Sequence, residues 1–359
     1  MKLTNNRLYL DFNATSPLAS KVTDFLAGGD LFYANPSSTH SSGKSSKKIF
    51  LEVYDFIFQF FNLPKTEFNL VFHSGATEAL NTFLNQDGYD LLYSVTDHPS
   101  VKEVIKDKKR VFEYDFLNGI YPNIDREKLI LNATWVNNES GVVHDLESIK
   151  QLKKKYNAIT HVDCSQVVGK VKDFDKLDPF LDIYTFSGHK FGALGNTGFS
   201  FVKKSLSIDP LIRGSLLHEG LRSGTLNTLG IYSLKLALED LTDQSYFTKL
   251  KSFQDKVFNL VKSNKNLNLL SFEKQSLNTC FFYHSKISSD LNLVKFDMAQ
   301  IDISAGSACS SGVSKGSPLL QALGYGEYAK NGLRISWGKE SLANEDEVLQ
   351  RLSQVIQKL

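Results

Sequence analysis

Residues 129–163 read LILNATWVNNESGVVHDLESIKQLKKKYNAITHVD, and this stretch decides the fold class. Within it, residues 129–136 and 159–163 are apolar runs typical of buried strands, and residues 146–156 have the pattern of a helix. The alternation continues outside it, with strands predicted at residues 70–72, 90–95, 181–186 and 198–202 and a helix at residues 77–85. The pattern predicts an α/β fold on a largely parallel sheet that is covered on both faces. Ligands of such sheets bind beyond the carboxyl ends of the strands.

The pattern changes after about Gly230. Longer helices are predicted at residues 231–241 and 247–262, strands at 279–284 and 333–337, and a final helix at 345–359. We therefore expect the C-terminal third to form a second, smaller α+β domain.

A biased tract at residues 37–48 is rich in Ser and Lys. It is predicted to be a solvated loop that leads into an amphipathic helix from about Ser45. Apolar side chains at helical spacing indicate that helix, namely Ile49, Val53, Ile57 and Phe60.

The composition disfavours several kinds of partner. The 41 basic and 39 acidic residues leave a formal net charge of only +2, so neither nucleic acid nor a membrane surface is expected. Three widely spaced cysteines, Cys164, Cys280 and Cys309, form no CxxC pair and no disulfide framework, which fits a reducing compartment. Residues 1–13 contain no apolar run typical of a signal peptide. We expect a cytoplasmic protein.

Residues 182–190 present Lys190 directly after a predicted strand, Ser187 and Gly188. A lysine placed there can be desolvated enough to lose its charge and form an imine with an aldehyde. On this segment alone, an ordinary surface lysine is the simpler interpretation.

Residues 161–166 end another predicted strand at Asp163. An unpaired carboxylate in such a position would be costly, unless it meets a cation such as the protonated nitrogen of a pyridine ring. Gln166, three residues later, could then reach the phenolic oxygen of the same ring. A metal ligand and a helix N-cap are the alternatives for Asp163, although the remaining histidines show no ligand spacing.

Two glycine-containing segments complete the candidate chemistry. Residues 73–78 form a turn between a strand and a helix, where free N–H groups and the helix dipole could hold a phosphate. This turn is neither a Walker A nor a GxGxxG sequence, so nucleotide binding is disfavoured. Residues 303–312 surround Cys309 with Ser, Ala and Gly, which predicts an exposed, mobile loop. Such a thiol suits a nucleophile that reaches the substrate and then carries a transferred group away. An incidental exposed cysteine would instead be prone to oxidation.

Ten motifs in sequence order resemble those of the cysteine desulfurases, a group within the class V aminotransferase family of fold-type I PLP (pyridoxal 5'-phosphate) enzymes. They lie at residues 10–15, 35–40, 74–78, 97–98, 137–141, 161–166, 187–190, 222–225, 306–309 and 333–336. The resemblance implies a large PLP-binding domain over residues 14–240. It also implies a small domain formed by residues 1–13 and 241–359, with a mobile cysteine loop at about 304–318.

The resemblance implies a role for each matching side chain. Lys190 would hold PLP covalently and move the substrate Cα proton, and Asp163 would keep the pyridine nitrogen protonated. His98 would stack on the ring and serve in proton transfer. Arg334, together with Asn138, would bind the substrate, with the guanidinium on its carboxylate. The other cofactor contacts would be Gln166 and Asn138 on the oxygen side of the ring, Ala76, Thr77, Ser187 and His189 on the phosphate, and Thr225 from the second subunit of a homodimer.

On this resemblance, the expected function is that of an L-cysteine desulfurase. Cys309, as a thiolate, would attack the sulfur of PLP-bound L-cysteine, leaving L-alanine and a persulfide. The sulfur would pass to an acceptor protein that assembles iron–sulfur clusters or thiolates tRNA. No metal site is expected, apart from transient ligation of an iron–sulfur cluster by Cys309.

Three alternatives stay open at this point. A selenocysteine lyase or another class V aminotransferase-like enzyme would share the PLP motifs, but a transaminase has no use for Cys309. A catalytically inactive homologue that acts as a binding subunit would not need to keep Lys190, His98, Asp163 and Cys309 together. A Rossmann dehydrogenase fits the α/β pattern but lacks the glycine fingerprint.

Overall fold

The elements of secondary structure alternate along most of the chain. The computed structural model describes residues 7–29, 32–106, 110–214, 220–241, 245–306 and 316–359. The strands are β1 (Leu8–Tyr9), β2 (Phe68–His73), β3 (Asp90–Ser94), β4 (Val111–Tyr114), β5 (Leu129–Thr134), β6 (Ile159–Asp163), β7 (Ile183–Ser187), β8 (Gly198–Lys203), β9 (Leu267–Leu270), β10 (Thr279–His284), β11 (Ile301–Asp302), β12 (Ser304–Ala305) and β13 (Gly332–Ser336). The helices are α1 (Ser20–Gly28), α2 (Ser41–Phe60), α3 (Ala76–Leu84), α4 (Pro99–Ile105), α5 (Leu146–Tyr156), α6 (Thr228–Glu239), α7 (Ser245–Lys262), α8 (Ser289–Met298), α9 (Pro318–Ala322), α10 (Lys339–Ala343) and α11 (Glu345–Ile356).

A mixed sheet of seven described strands organises the first two thirds of the chain. Its order is β2-β8-β7-β6-β5-β3-β4. Strands β3 to β7 pair in parallel, whereas β8 runs antiparallel to both of its neighbours. The predicted α/β fold with a mostly parallel mixed sheet is therefore confirmed.

Helices bury both faces of this sheet. On one face, Phe58 of α2 and Leu234 of α6 join the same buried cluster as Phe186 and Phe201 of the sheet. On the other face, Phe83 of α3 lies in a separate cluster with strand residues of β2, β7 and β8. Each fully buried Phe contributes about 1.5–3 kcal/mol of transfer free energy. Because both faces are covered, the strands read as continuous apolar runs.

Helix α2 begins earlier than the sequence suggested. Its first residue is Ser41, and the His40 side chain caps it by accepting from the Gly43 N–H at 3.2 Å. The prediction of a loop is therefore wrong for residues 41–44. Gly43 explains the difference, because a Cβ there would lie 2.5 Å from the Ser38 carbonyl oxygen. Close backbone packing, which composition does not reveal, keeps this Ser- and Lys-rich turn helical.

A second sheet lies in the C-terminal third, with the antiparallel order β12-β13-β10-β9. Strand β1 pairs in parallel with β11, so the start of the described chain joins this region. The division into residues 14–240 and the two flanking segments stays a prediction. Among the helices of the described chain, none combines the length and the hydropathy needed to cross a bilayer.

Candidate active site

A cavity of about 420 Å³ lies beyond the carboxyl ends of β5, β6 and β7, where an α/β sheet is expected to bind ligands. Nine of the predicted cofactor or catalytic residues line it. They are Ala76, Thr77, His98, Asn138, Asp163, Gln166, Ser187, His189 and Lys190. These residues come from separate stretches between residues 76 and 190, and the fold brings them to one edge of the sheet.

Lys190 ends a single 3-10 turn that follows β7 directly. Its ammonium donates hydrogen bonds to the carbonyl oxygens of Asn13 and Ala14, both at 2.7 Å. Gly188 permits this tight turn, because a Cβ there would approach the Thr197 carbonyl oxygen to 2.7 Å. The lysine is therefore held at the cavity wall by the chain segment that precedes α1.

Asp163 is the last residue of β6 and is only 5% exposed. Its Oδ1 accepts from the Ser165 N–H at 2.9 Å, so it stabilises the turn after the strand and does not cap an α-helix. The Ser165 hydroxyl is buried and has no hydrogen-bond partner among the described residues. A buried acid beside an unsatisfied hydroxyl suits a polar ligand in this cavity.

His98 is the N-cap of α4, and its Nδ1 accepts from the Ser100 N–H at 3.1 Å. Burial lowers the pKa of His98, although the nearby Asp163 carboxylate opposes that effect. The ring is therefore neutral near pH 7, with Nε2 as the nitrogen left for a ligand. The preceding Asp97 anchors this loop by accepting from Asn132 and Thr134 side chains, both at 2.7 Å.

The N-terminus of α3 also lines the cavity. Gly75 has a φ of 155°, a backbone conformation that side chains rarely adopt, and Ala76 and Thr77 follow it as the first helical residues. Their N–H groups lie in the first turn, where a helix has no partners of its own and favours anions. His189 lines the same cavity, and burial together with Lys190 lowers its pKa to about 4.

Arg334 lies behind the cavity wall and is 2% exposed. Its guanidinium forms an ion pair with Asp11 at 2.6 Å and donates to the Asn138 carbonyl oxygen at 2.9 Å. The Nε atom is buried and has no hydrogen-bond partner among the described residues. In the sheet, Arg334 pairs in register with Ser304, which also donates to Asp11 at 2.6 Å.

Two predicted residues stand apart from this arrangement. Thr225 is exposed and lines a separate cavity of about 80 Å³, next to Ser74 and Asn196 of the main cavity. Cys309 lies outside the described residues, as does most of the predicted cysteine loop. The described cysteines, Cys164 and Cys280, are buried, and burial raises the pKa of both thiols. Neither of these two thiols suits a nucleophile.

Two buried residues of this region, Asn13 and Lys170, had no role predicted from the sequence. Asn13 provides the carbonyl oxygen that receives both Lys190 and the Gln166 amide, the latter at 2.8 Å. Lys170 contacts the side chains of Gln166 and Asn13 from below the cavity. Asn13 belongs to the motif at residues 10–15, which carries part of the family resemblance but implied no role for Asn13. Lys170 belongs to none of the ten motifs.

The residues around the cavity fit PLP. Lys190 offers an amine for its aldehyde, Asp163 a carboxylate for its ring nitrogen, and the first turn of α3 a set of N–H groups for its phosphate. The unsatisfied Ser165 hydroxyl and the glycine-only backbone at residue 75 favour the same ligand. No group of three or more His, Cys, Asp or Glu side chains in the described chain is arranged to hold a metal ion.

This fold and this cavity define the class of fold-type I PLP-dependent enzymes. The chain belongs to the aminotransferase class-V family, whose sequence profile matches residues 8–351, so the predicted family is confirmed. The cysteine desulfurase IscS of Shewanella sp. (strain MR-4) is 29% identical, over 98% of this chain and 93% of that protein. IscS of Buchnera aphidicola subsp. Schizaphis graminum is 28% identical, over 95% and 90% respectively. The solved NifS-like protein of Rickettsia africae superimposes with a TM-score of 0.87 and 26% identity, over 98% and 99%.

Proposed function

We propose that this chain is a PLP-dependent L-cysteine desulfurase, which produces L-alanine and holds the sulfur as a persulfide on Cys309. The observation that carries the proposal is the cavity in which Lys190, Asp163 and the α3 N-terminus converge. The curated relatives named cysteine desulfurase, which match nearly the full chain, support the choice of substrate.

Different cavity residues would bind different parts of the cofactor. Lys190 would bind its aldehyde carbon, and Asp163 would keep its ring nitrogen protonated. Gln166 and Asn138 would contact the ring oxygen, and the phosphate would be held by Ala76, Thr77, Ser187 and His189. When bound, PLP withdraws electrons from the substrate Cα and so makes the C–S bond labile.

Arg334 binds the substrate, and Lys190 and His98 transfer protons. Arg334 binds the substrate carboxylate, for which its unsatisfied Nε is available, and Asn138 lies between Arg334 and the cavity. Lys190 removes the Cα proton. His98 exchanges protons through Nε2, because Ser100 engages Nδ1.

Cys309 receives the sulfur. A bond forms between the Cys309 thiolate sulfur and the substrate sulfur while the substrate Cβ–S bond breaks. The electron pair of the broken bond stays with Cβ, which takes up a proton. Lys190 returns a proton to Cα, and the carbon fragment leaves as L-alanine. The start of the Cys309 segment supports this role, since β12 pairs with β13 directly opposite Arg334. An acceptor protein of iron–sulfur cluster assembly or tRNA thiolation then takes the sulfur.

The enzyme works as a homodimer in the cytoplasm. Thr225 contributes to the phosphate site of the partner subunit. It is exposed in the single chain, and it lines the smaller cavity together with Ser74 and Asn196, which also line the main cavity.

An assay with L-cysteine tests the proposal. Purified protein is reconstituted with PLP, freed of excess, and given L-cysteine with a reductant. We expect visible absorbance of the bound cofactor, and equal amounts of L-alanine and sulfide. L-Serine, which lacks the sulfur, serves as the control substrate and gives no alanine. A protein that stays colourless, or a coloured one that releases no alanine from L-cysteine, contradicts the proposal.

A further inference from the structure

Lys170 is a buried lysine to which the proposed reaction assigns no task. We infer that Lys170 is a positioning residue, whose ammonium fixes the Gln166 side-chain amide so that its NH₂ group donates to the cavity. The inference rests on the proposed function, because it takes the acceptor to be the anionic ring oxygen of PLP.

The contacts of Lys170 are unusual for a lysine. It is 5% exposed, and its ammonium donates to Gln166 Oε1 and, at 3.3 Å, to Asn13 Oδ1. Within the described ranges, no carboxylate forms an ion pair with it. Burial lowers its pKa well below the usual range, the charges of Lys190 and Arg334 add to that effect, and the Asp11 carboxylate opposes it. Proteins rarely bury a lysine without a paired anion unless it has a task.

These contacts determine which way the Gln166 amide points. A lysine ammonium has three donors and no acceptor, so it faces the amide oxygen. The other end of the amide, Nε2, donates to the Asn13 carbonyl oxygen at 2.8 Å. A flipped amide would set a donor against the Lys170 ammonium and an oxygen against the Asn13 carbonyl. Both ends of the amide therefore favour the same orientation.

One hydrogen of the Gln166 NH₂ group is left over. An amide NH₂ carries two donors, and the described contacts use one of them, on Asn13. Because Gln166 lines the cavity, the second N–H is available to a ligand there. A carbonyl-type acceptor at this point would repel an anionic oxygen, whereas a donor stabilises it. Lys170 thus acts on the cofactor through Gln166 without touching it.

Spectroscopic titration of Lys170→Met tests this role. Methionine has a similar length and no charge, so the Gln166 amide loses the contact that holds its oxygen, and only the Asn13 carbonyl still orients it. We expect the pH at which the visible absorbance of bound cofactor titrates to rise by up to about one unit, the worth of one hydrogen bond. The melting temperature of the cofactor-free protein should stay equal or rise, because removing an unpaired buried cation relieves its desolvation. The exposed Lys176→Met is the matched control and should titrate like the unaltered protein.

A double variant separates this role from a merely structural one. Gln166→Ala alone should raise the titration midpoint by a similar amount, and adding Lys170→Met to it should change nothing further. An unchanged midpoint in Lys170→Met, or shifts of the two variants that add, would overturn the inference. If Lys170→Met does not fold, Lys170→Leu replaces it with the same expected rise, since leucine also offers no donor to the Gln166 amide oxygen. Failure of the unaltered protein to bind PLP would instead reject the proposed function.

Discussion

Lys190 and Gln166 donate to the same atom, the carbonyl oxygen of Asn13, at 2.7 and 2.8 Å. Asn13 lies more than 150 residues before either partner in the chain. The shared acceptor therefore links Lys190, the proposed cofactor-binding amine, to Gln166, the proposed contact of the ring oxygen. The link runs through Asn13, near the start of the described chain. Residues 10–15 thus belong to the site, although no side chain of theirs was predicted to act in it.

Replacing Lys190 should separate its chemical role from its structural one. Lys190→Ala and Lys190→Arg should both lose covalently bound cofactor and all turnover, because neither offers an amine for the aldehyde. Lys190→Ala should also lower the free energy of unfolding by about 1 kcal/mol, since the Ala14 carbonyl loses its Lys190 donor and the Asn13 carbonyl keeps only Gln166. Lys190→Arg keeps donors there and should unfold like the unaltered protein. Denaturation of cofactor-free protein measures this difference; equal losses in both variants would contradict the structural role.

Glu139 should control the segment that carries Cys309. Its buried carboxylate accepts from the Ser317 hydroxyl, and a Cβ on Gly306 would lie 3.2 Å from its Oε2. Glu139 therefore lies beside Gly306, which precedes the Cys309 segment, and accepts a hydrogen bond from Ser317, which follows that segment. We expect Glu139→Ala to slow persulfide formation about tenfold, the effect of about 1.4 kcal/mol, while PLP affinity changes less than twofold.

Single-turnover sulfur transfer and cofactor titration measure the two quantities for Glu139→Ala. Ser317→Ala removes the same hydrogen bond from its other side and is the matched variant. Equal losses of PLP affinity and of sulfur transfer would show that Glu139 acts on the cofactor site instead.

The stability of the protein should fall as the pH drops from about 6.5 to 5. Burial lowers the pKa of four histidines to about 4, so the unfolded chain takes up their four protons first and unfolding is favoured; they are His73, His144, His161 and His189. Burial raises the pKa of Asp97 to about 6 and of Glu139 to about 7, so the folded form binds two protons that oppose this effect. The balance, four minus two, is two protons, or about 2.7 kcal/mol per pH unit.

Urea denaturation across this range measures the pH slope. Glu139→Gln removes one of the opposing protons and should steepen the slope to about three protons, or about 4.1 kcal/mol per pH unit. A stability that stays flat or rises on acidification would be inconsistent with neutral, buried histidines.

Asp182 should matter for stability and not for chemistry. Its side chain is 7% exposed, forms an ion pair with Lys153, and accepts from the Thr160 N–H at 2.9 Å. It precedes β7, at the end of the sheet away from the cavity. Asp182→Ala leaves the half-buried Lys153 ammonium and the buried Thr160 N–H without their acceptor, so the unfolding free energy should fall by about 3 kcal/mol.

An exposed pair supplies the control for Asp182. Asp173 forms an ion pair with Lys176 at 2.8 Å, and both side chains are more than half exposed. Asp173→Ala should therefore cost less than about 1 kcal/mol. Folded Asp182→Ala protein should keep the visible absorbance of bound PLP. Loss of that absorbance at temperatures where the variant is folded would place Asp182 in the site.

The sequence predicted the strands and site residues that depend only on their neighbours in the chain. Strand β6 has the predicted bounds, Ile159–Asp163, because an apolar run ends there at a polar turn. Strand β4, Val111–Tyr114, was missed because it is a half-exposed edge strand with a polar residue in its middle. Likewise, Lys190 and Asp163 could be proposed because each follows a strand end. Lys170 could not, since its partner Asn13 lies 157 residues away in the chain.

The transfer of sulfur to Cys309 is the central claim, and a labelling experiment with Cys309→Ser tests it most directly. The protein, reconstituted with PLP, receives L-cysteine radiolabelled at sulfur and is separated without reductant. The unaltered chain should retain label that a reductant releases, whereas Cys309→Ser should bind PLP with the same visible absorbance and retain none. Label on Cys309→Ser at the unaltered rate would contradict the account and move the sulfur to another thiol, even though Cys164 and Cys280 are buried.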